Sequence, residues 1–156
     1  ENLYDIKWNE MRFFSVYGPH EEFKKGYANL ITQFLWAAMK GERPVIYGDG
    51  TQRRDFIYVG DVVDALELAM SSDNNGVYNV GTGLSYSLNE VVKMLEEELQ
   101  VNINPLYVPN PVKNYVMVTQ ASTEKAEREL GFKAKVSLRE GIKKIAEYYK
   151  NLKTMP

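Results

Sequence analysis

Two adjacent arginines, Arg53 and Arg54, are the residues in this sequence best suited to binding chemistry. They stand between a glycine-containing turn and an apolar run. A guanidinium group presents a planar fork of N–H donors that matches phosphate oxygens, and its charge does not titrate away at physiological pH. The ordinary alternative is a solvated arginine pair in a loop. The segment 51–56 is therefore a candidate phosphate-binding segment.

Two further patterns are candidates for catalysis or cofactor binding. Tyr149 and Lys153 have the spacing that places both side chains on one face of a helix, where the ammonium would lower the pKa of a phenol acting as general base. Gly81 and Gly83 lie between a strand and a helix, but Tyr86 occupies the third position of a dinucleotide-binding glycine motif. We interpret the first pattern as chance spacing on a surface helix and the second as a tight turn. The sequence thus predicts no catalytic residue.

Composition argues against several other functions. Cysteine is absent and His20 is the only histidine, so neither a metal site nor a histidine-based triad is predicted. The formal net charge of -2 gives no basic footprint for nucleic acid. No apolar run approaches the roughly 18 residues that a membrane helix needs, and no signal peptide is visible. We expect a cytoplasmic protein, and its 156 residues predict one domain.

The elements that must position these residues alternate between strands and helices, which is typical of an α/β fold. The predicted strands are 11–17, 45–47, 56–59, 77–80 and 103–108. The predicted helices are 28–40, 61–70, 88–99, 123–130 and one that begins near 138. Asp61 is expected to cap the second helix, which is apolar nearly all round and should be deeply buried. Segment 20–26 is predicted to be an exposed loop.

Two long motifs carry a family resemblance. Residues 11–19 read Met-Arg-Phe-Phe-Ser-Val-Tyr-Gly-Pro, and residues 47–59 read Tyr-Gly-Asp-Gly-Thr-Gln-Arg-Arg-Asp-Phe-Ile-Tyr-Val. In this order and spacing they resemble the nucleotide-sugar epimerase/dehydratase family of extended short-chain dehydrogenases. The resemblance runs from about Tyr4 to Tyr149. It implies a small substrate-binding α/β domain, together with strands and helices that would complete a Rossmann sheet.

The resemblance also implies roles for individual residues. Arg54 matches the arginine that grips the nucleotide diphosphate, and Lys113 stands in a segment where relatives often carry a diphosphate-binding arginine. Phe13 and Phe14 match the segment that runs between cofactor and sugar. The remaining positions that match substrate contacts are Ser15, Asn29, Leu30, Val45 and Tyr47. Judged without the resemblance, Asn29 would be a helix cap.

The activity that the resemblance implies is epimerisation, often at C4 of a UDP-sugar, through transient oxidation by bound NAD. The alternatives are a fragment of a nucleotide-sugar 4,6-dehydratase and a non-catalytic sugar-nucleotide-binding or interaction module. In the family, the NAD fingerprint and the catalytic Tyr-x-x-x-Lys precede the two motifs. We therefore expect residues 1–156 to be a single substrate-binding fragment that lacks the N-terminal half, binds no NAD alone and has no activity alone.

A consequence for association follows from that expectation. The strand at 11–17 and the helix at 61–70 would expose apolar surface that an N-terminal half normally covers, and such patches usually bind a partner. We therefore expect self-association.

Overall fold

The computed structural model describes residues 6–152, in which strands and helices alternate as predicted for an α/β fold. The strands are β1 (Asn9–Phe13), β2 (Ser15–Tyr17), β3 (Val45–Tyr47), β4 (Arg53–Arg54), β5 (Phe56–Tyr58), β6 (Gly76–Val80), β7 (Tyr86–Ser87) and β8 (Leu106–Val108). The helices are α1 (Leu30–Met39), α2 (Val59–Ser71), α3 (Leu88–Leu99), α4 (Glu124–Leu130) and α5 (Leu138–Lys150), and a short 3-10 helix covers Glu22–Tyr27.

Strand pairing joins segments that are distant in the sequence. The pairs β1–β6, β2–β5 and β3–β8 are parallel, whereas β4–β7 is antiparallel. The predicted strand 11–17 is two strands because the chain changes partner at Phe14. The Phe14 N–H donates to Val80 (3.0 Å), and the next N–H, of Ser15, donates to Asp55 (2.9 Å). Residues 13–15 therefore lie where two parallel strand pairs meet.

Two groups of buried side chains form the cores. The first joins α1, α3 and α5 and includes Ile31, Leu35, Val91, Leu95, Ile142 and Tyr149. The second joins α2 and α4 to the strands and includes Val62, Ala65, Tyr78, Val80 and Phe132. The first core also contains Ile46 of β3 and Phe56 of β5, so it supports the strands that surround the site described below.

Helix α2 differs from its prediction. It begins at Val59 rather than after Asp61, and the buried Asp61 carboxylate instead accepts the backbone N–H groups of Lys135 and Val136, each at 3.1 Å. The prediction of deep burial is wrong, since only one side of α2 packs on the strands. Its exposed apolar residues are Val63, Leu66, Leu68 and, at 86% exposure, Met70.

Two other local differences concern the ends of elements. The predicted strand 103–108 is shortened to β8, which follows Pro105, a residue without an N–H for the ladder. The predicted loop 20–26 is largely a 3-10 helix, and Glu21 just before it is buried. None of the helices within residues 6–152 has both the length and the apolar character needed to cross a membrane. The same residues contain no group of acidic or histidine side chains placed to hold a metal ion.

Candidate functional site

A cleft of about 370 Å³ opens between the first turn of α1, strand β3 and the start of α3. Three residues predicted to bind substrate, Leu30, Val45 and Tyr47, line it together. Gln52 and Tyr115 are among the other residues of the wall, although sequence reasoning gave neither a role. The volume is within the usual range for small-molecule sites.

The backbone of β3 faces this cleft with one edge. On its other edge, Pro44 accepts the N–H of Leu106 (2.9 Å), and Gly48 donates to Val108 (2.7 Å). Backbone groups of successive residues in a strand point to opposite edges. The backbone groups of Val45 and Tyr47 therefore point away from β8. On that side the Tyr47 carbonyl accepts a hydrogen bond from Gln52 Nε2 (2.7 Å). This leaves the Val45 N–H and C=O and the Tyr47 N–H directed toward the cleft.

The predicted turn at 48–50 fixes the segment that follows β3. Gly50 has φ +79° and lies against Asn89, so that a Cβ at this position would come within 2.1 Å of the Asn89 side chain. Asn89 binds the turn through its N–H to the Gly50 carbonyl (3.1 Å) and through Nδ2 to the Asp49 carbonyl (3.0 Å). The start of α3 thereby holds the turn that leads into the arginine segment.

The two arginines have different surroundings. Arg53 is bound on both sides of its guanidinium, by Glu90 (2.9 Å) and by the Ser85 carbonyl (2.5 Å). Arg54 lies 5.0 Å from the ring centroid of Tyr115, and its Nη1 donates to backbone carbonyls of residues 53 and 117. Within residues 6–152 no carboxylate pairs with Arg54. Its charge is therefore available for an anionic ligand, whereas that of Arg53 is compensated.

Asp55, the next residue, organises the loops around the arginines. Its carboxylate is fully buried and accepts four hydrogen bonds, from the backbone N–H groups of Thr82, Gly83 and Ala121 and from the Thr82 hydroxyl, at 2.7–3.0 Å. The N–H groups of the predicted glycine turn are thus bound by a carboxylate of the same chain. This agrees with the interpretation of that segment as a turn, and it leaves those groups unable to bind a dinucleotide pyrophosphate.

Asn29 is the N-cap of α1. Its Oδ1 accepts the N–H of Ile31 (3.1 Å), and its Nδ2 donates to Ser15 Oγ and to the Val16 carbonyl, both at 3.0 Å. All polar atoms of the Asn29 side chain are therefore used within the protein. Asn29 thus joins the start of α1 to Ser15, and the predicted contacts of both residues with substrate stay predictions.

The other predicted contacts lie outside the cleft wall. Phe13, at the end of β1, is 48% exposed, and Phe14 is half-buried at the change of strand partner. Lys113 is exposed in the loop 109–117, in which Tyr115 rather than Lys113 reaches the cleft. Their roles toward cofactor and diphosphate remain predictions.

Tyr149 is not on a helix surface, so that part of the sequence interpretation is wrong. The side chain is fully buried, its hydroxyl accepts the Glu21 N–H (3.0 Å), and burial raises the pKa of the phenol far above its usual range. A phenol held in this way is unsuited to act as a general base. Lys153 lies outside the described residues.

Comparison with known proteins identifies the family. The sequence model described as the NAD dependent epimerase/dehydratase family matches residues 1–81, which is more than half of the chain. The chain belongs to this family. A UDP-glucose 4-epimerase of Mycolicibacterium smegmatis is 32% identical, with 96% of this chain and 48% of that protein covered.

Solved structures of similar proteins have the same fold. The UDP-glucose 4-epimerase of Thermotoga maritima with UDP-glucose is 37% identical with a TM-score of 0.90, covering 96% of this chain and 48% of that one. MoeE5 in complex with UDP-glucose and NAD is 38% identical with a TM-score of 0.83, covering 92% of this chain and 47% of that one. The chain thus spans about half the length of the relatives it matches.

Proposed function

We propose that this chain is the nucleotide-sugar-binding portion of an NAD-dependent sugar epimerase of the UDP-glucose or UDP-N-acetylglucosamine 4-epimerase type. The observation that carries the proposal is the position of Tyr115. Its ring lines the cleft and also lies beneath the Arg54 guanidinium. An aromatic cleft next to an uncompensated cation suits a nucleoside diphosphate, because the base is flat and apolar on its faces while the diphosphate is anionic.

The base would occupy the cleft against β3. Tyr47 and Tyr115 offer aromatic surface for stacking, which contributes about 1–3 kcal/mol per base in nucleic-acid complexes. The Val45 N–H and C=O and the Tyr47 N–H supply donors and an acceptor for the polar edge of the ring. A pyrimidine edge with alternating carbonyl and N–H groups matches such a strand edge.

The diphosphate would bind Arg54, and the sugar would extend toward Ser15. Two carbonyls hold Nη1 of Arg54, which fixes the guanidinium and leaves its other N–H groups for phosphate oxygens. Ser15 lies at the change of strand partner, beside Phe13 and Phe14, where the cofactor would approach the sugar in the complete enzyme. Ser15 follows the carboxyl end of β1, and open α/β sheets bind ligands beyond the carboxyl ends of their strands.

Binding without turnover is the expected behaviour of the chain alone. The glycine turn at 81–83 does not fit a pyrophosphate because Asp55 occupies its N–H groups. Tyr149 does not fit the role of the catalytic tyrosine because it is buried and hydrogen-bonded. We therefore propose that NAD binding and the catalytic base belong to other residues of the complete enzyme.

Calorimetric titration of the purified chain tests the proposal. UDP-glucose and UDP should bind, uridine should bind more weakly, and ADP-glucose serves as the control for the base. Neither UDP-glucose nor UDP-N-acetylglucosamine should be epimerised with added NAD. Equal affinity for UDP and inorganic pyrophosphate would contradict base binding in the cleft, and turnover that is lost in Tyr149→Phe would contradict the assignment of Tyr149.

A further inference from the structure

Helix α1 lacks the acidic capping residue that helix α3 has in its first turn. In α3 the N-cap Ser87 accepts the N–H of Glu90, and the Glu90 carboxylate returns to the Ser87 N–H at 2.7 Å. This reciprocal arrangement satisfies two backbone donors at a helix start. In α1 the N-cap is Asn29, and the residue three positions later is Thr32 rather than an acid.

The Glu21 carboxylate, which comes from outside α1, takes the position of that acidic residue. Glu21 Oε1 accepts the backbone N–H of Asn29 at 3.0 Å. The Thr32 hydroxyl donates to the other oxygen, Oε2. Glu21 thus makes the contact that a glutamate at position 32 would make, although it lies eight residues before the cap.

The Glu21 side chain is built into the fold rather than resting on its surface. It is 3% exposed, and the Lys24 ammonium lies 3.1 Å from Oε1. The Glu21 N–H donates to the hydroxyl of Tyr149 in α5 (3.0 Å). A buried carboxylate persists only when it is paired and hydrogen-bonded. Here Lys24 of the 3-10 helix and residues 29 and 32 at the start of α1 provide the contacts of the carboxylate, while α5 binds the Glu21 backbone.

We propose that Glu21 is a positioning residue for the nucleotide-sugar site. It supplies the capping carboxylate that α1 lacks. It thereby holds Asn29 against Ser15 and keeps Leu30 in the cleft wall. Glu21 itself contacts neither the cleft nor the proposed ligand. The part of the inference that concerns the ligand rests on the proposed function.

Three variants test this inference. Glu21→Ala removes the carboxylate, and the affinity for UDP-glucose should fall about tenfold, equivalent to about 1.4 kcal/mol. Glu21→Gln keeps an oxygen for the Asn29 N–H, and its affinity for UDP-glucose should remain within about twofold of that of the unaltered chain. The control, Ser137→Ala, removes the cap of α5 outside the cleft. It should lower the thermal midpoint by about 2–4 °C without a change in affinity.

Hydrogen exchange provides a measurement that needs no ligand. Glu21→Ala should accelerate amide exchange in the first turn of α1, whereas Ser137→Ala should accelerate it only in α5. If Glu21→Ala does not fold, Thr32→Val, which removes only the hydroxyl, should show the same changes in smaller degree.

The outcomes separate the two proposals. Unaltered affinity in Glu21→Ala, or an equal loss in Ser137→Ala, overturns the positioning role. Failure of the unaltered chain to bind UDP-glucose or UDP overturns the proposed function, and the ligand part of this inference with it. In that event faster exchange in α1 of Glu21→Ala still supports the capping role, and unchanged exchange overturns it.

Discussion

Replacing each of the two adjacent arginines should separate ligand binding from stability. Arg54→Ala removes a guanidinium that no carboxylate pairs with in residues 6–152 and that would bind the diphosphate. Hydrogen bonds to charged groups contribute about 1.5–3 kcal/mol, so the affinity for UDP should fall about 10- to 150-fold. Arg53→Ala removes the contacts to Glu90 and Ser85 and should change this affinity by less than about threefold, since its charge is already compensated.

The two substitutions should lower stability in the opposite order, with Arg53→Ala costing more than Arg54→Ala. Arg54 contributes two bonds to carbonyls and a contact with the half-buried Tyr115 ring, so Arg54→Ala should cost about 1 kcal/mol. Arg53 makes a partly exposed ion pair, which contributes at most about 1 kcal/mol, and also a short bond to the Ser85 carbonyl. Arg53→Ala should therefore cost about 1–2 kcal/mol, or a lowering of the thermal midpoint by about 2–8 °C.

Titration with UDP and uridine distinguishes the phosphate role from general damage to the cleft. Arg54→Ala should lower the affinity for UDP but leave the affinity for uridine unchanged, because uridine has no phosphate. Arg128→Ala is the matched control, since Arg128 is exposed and pairs with Glu129 on α4. Lys113→Ala should lose less affinity than Arg54→Ala, because an ammonium is not a bidentate fork. The assignment of Arg54 to the diphosphate would be refuted if Lys113→Ala lost as much affinity for UDP or more. It would also be refuted if Arg54→Ala lowered the affinities for UDP and uridine equally.

The other predictions concern stability and association. Asp55→Asn places an amide against backbone N–H donors and should destabilise the chain by about 3 kcal/mol in chemical denaturation, and a loss below about 1 kcal/mol would contradict its organising role. Gly141→Ala brings a Cβ within 1.8 Å of the buried Tyr17 hydroxyl and should cost about 1–3 kcal/mol. The described residues give that hydroxyl no hydrogen-bond partner, so Tyr17→Phe should be neutral or stabilising, and the loss from Gly141→Ala should be smaller in the Tyr17→Phe background. Light scattering over a concentration series should show self-association through the apolar residues exposed on β1 and α2, among them Phe13 and Met70, which a monodisperse monomer would contradict.

Local patterns in the sequence determined the elements and the phosphate candidate. Helix α3 begins at its predicted cap because Ser87 and Glu90 are three residues apart, and a capping box depends only on neighbouring residues. Strand β3 covers the predicted residues, and Gly50 has the positive φ expected of a glycine turn. Arg54 is distinguished from Arg53 by its match to the family motif at 47–59, which consists of consecutive residues. These features need no information from distant parts of the chain.

The tertiary structure alone decided which polar residues are available to a ligand. Arg53 and Arg54 are alike in sequence, and only the approach of Glu90 and Tyr115 from distant segments makes them different. Glu21 was predicted to lie in an exposed loop, but its contacts with α1 and α5 bury it. The apolar surface expected on the helix at 61–70 is present on α2, but the sequence did not show which of its apolar residues are exposed, since an apolar face does not show what packs against it. Pairing, burial and compensation of charge arise between segments far apart in the chain, and the local pattern of residues does not contain them.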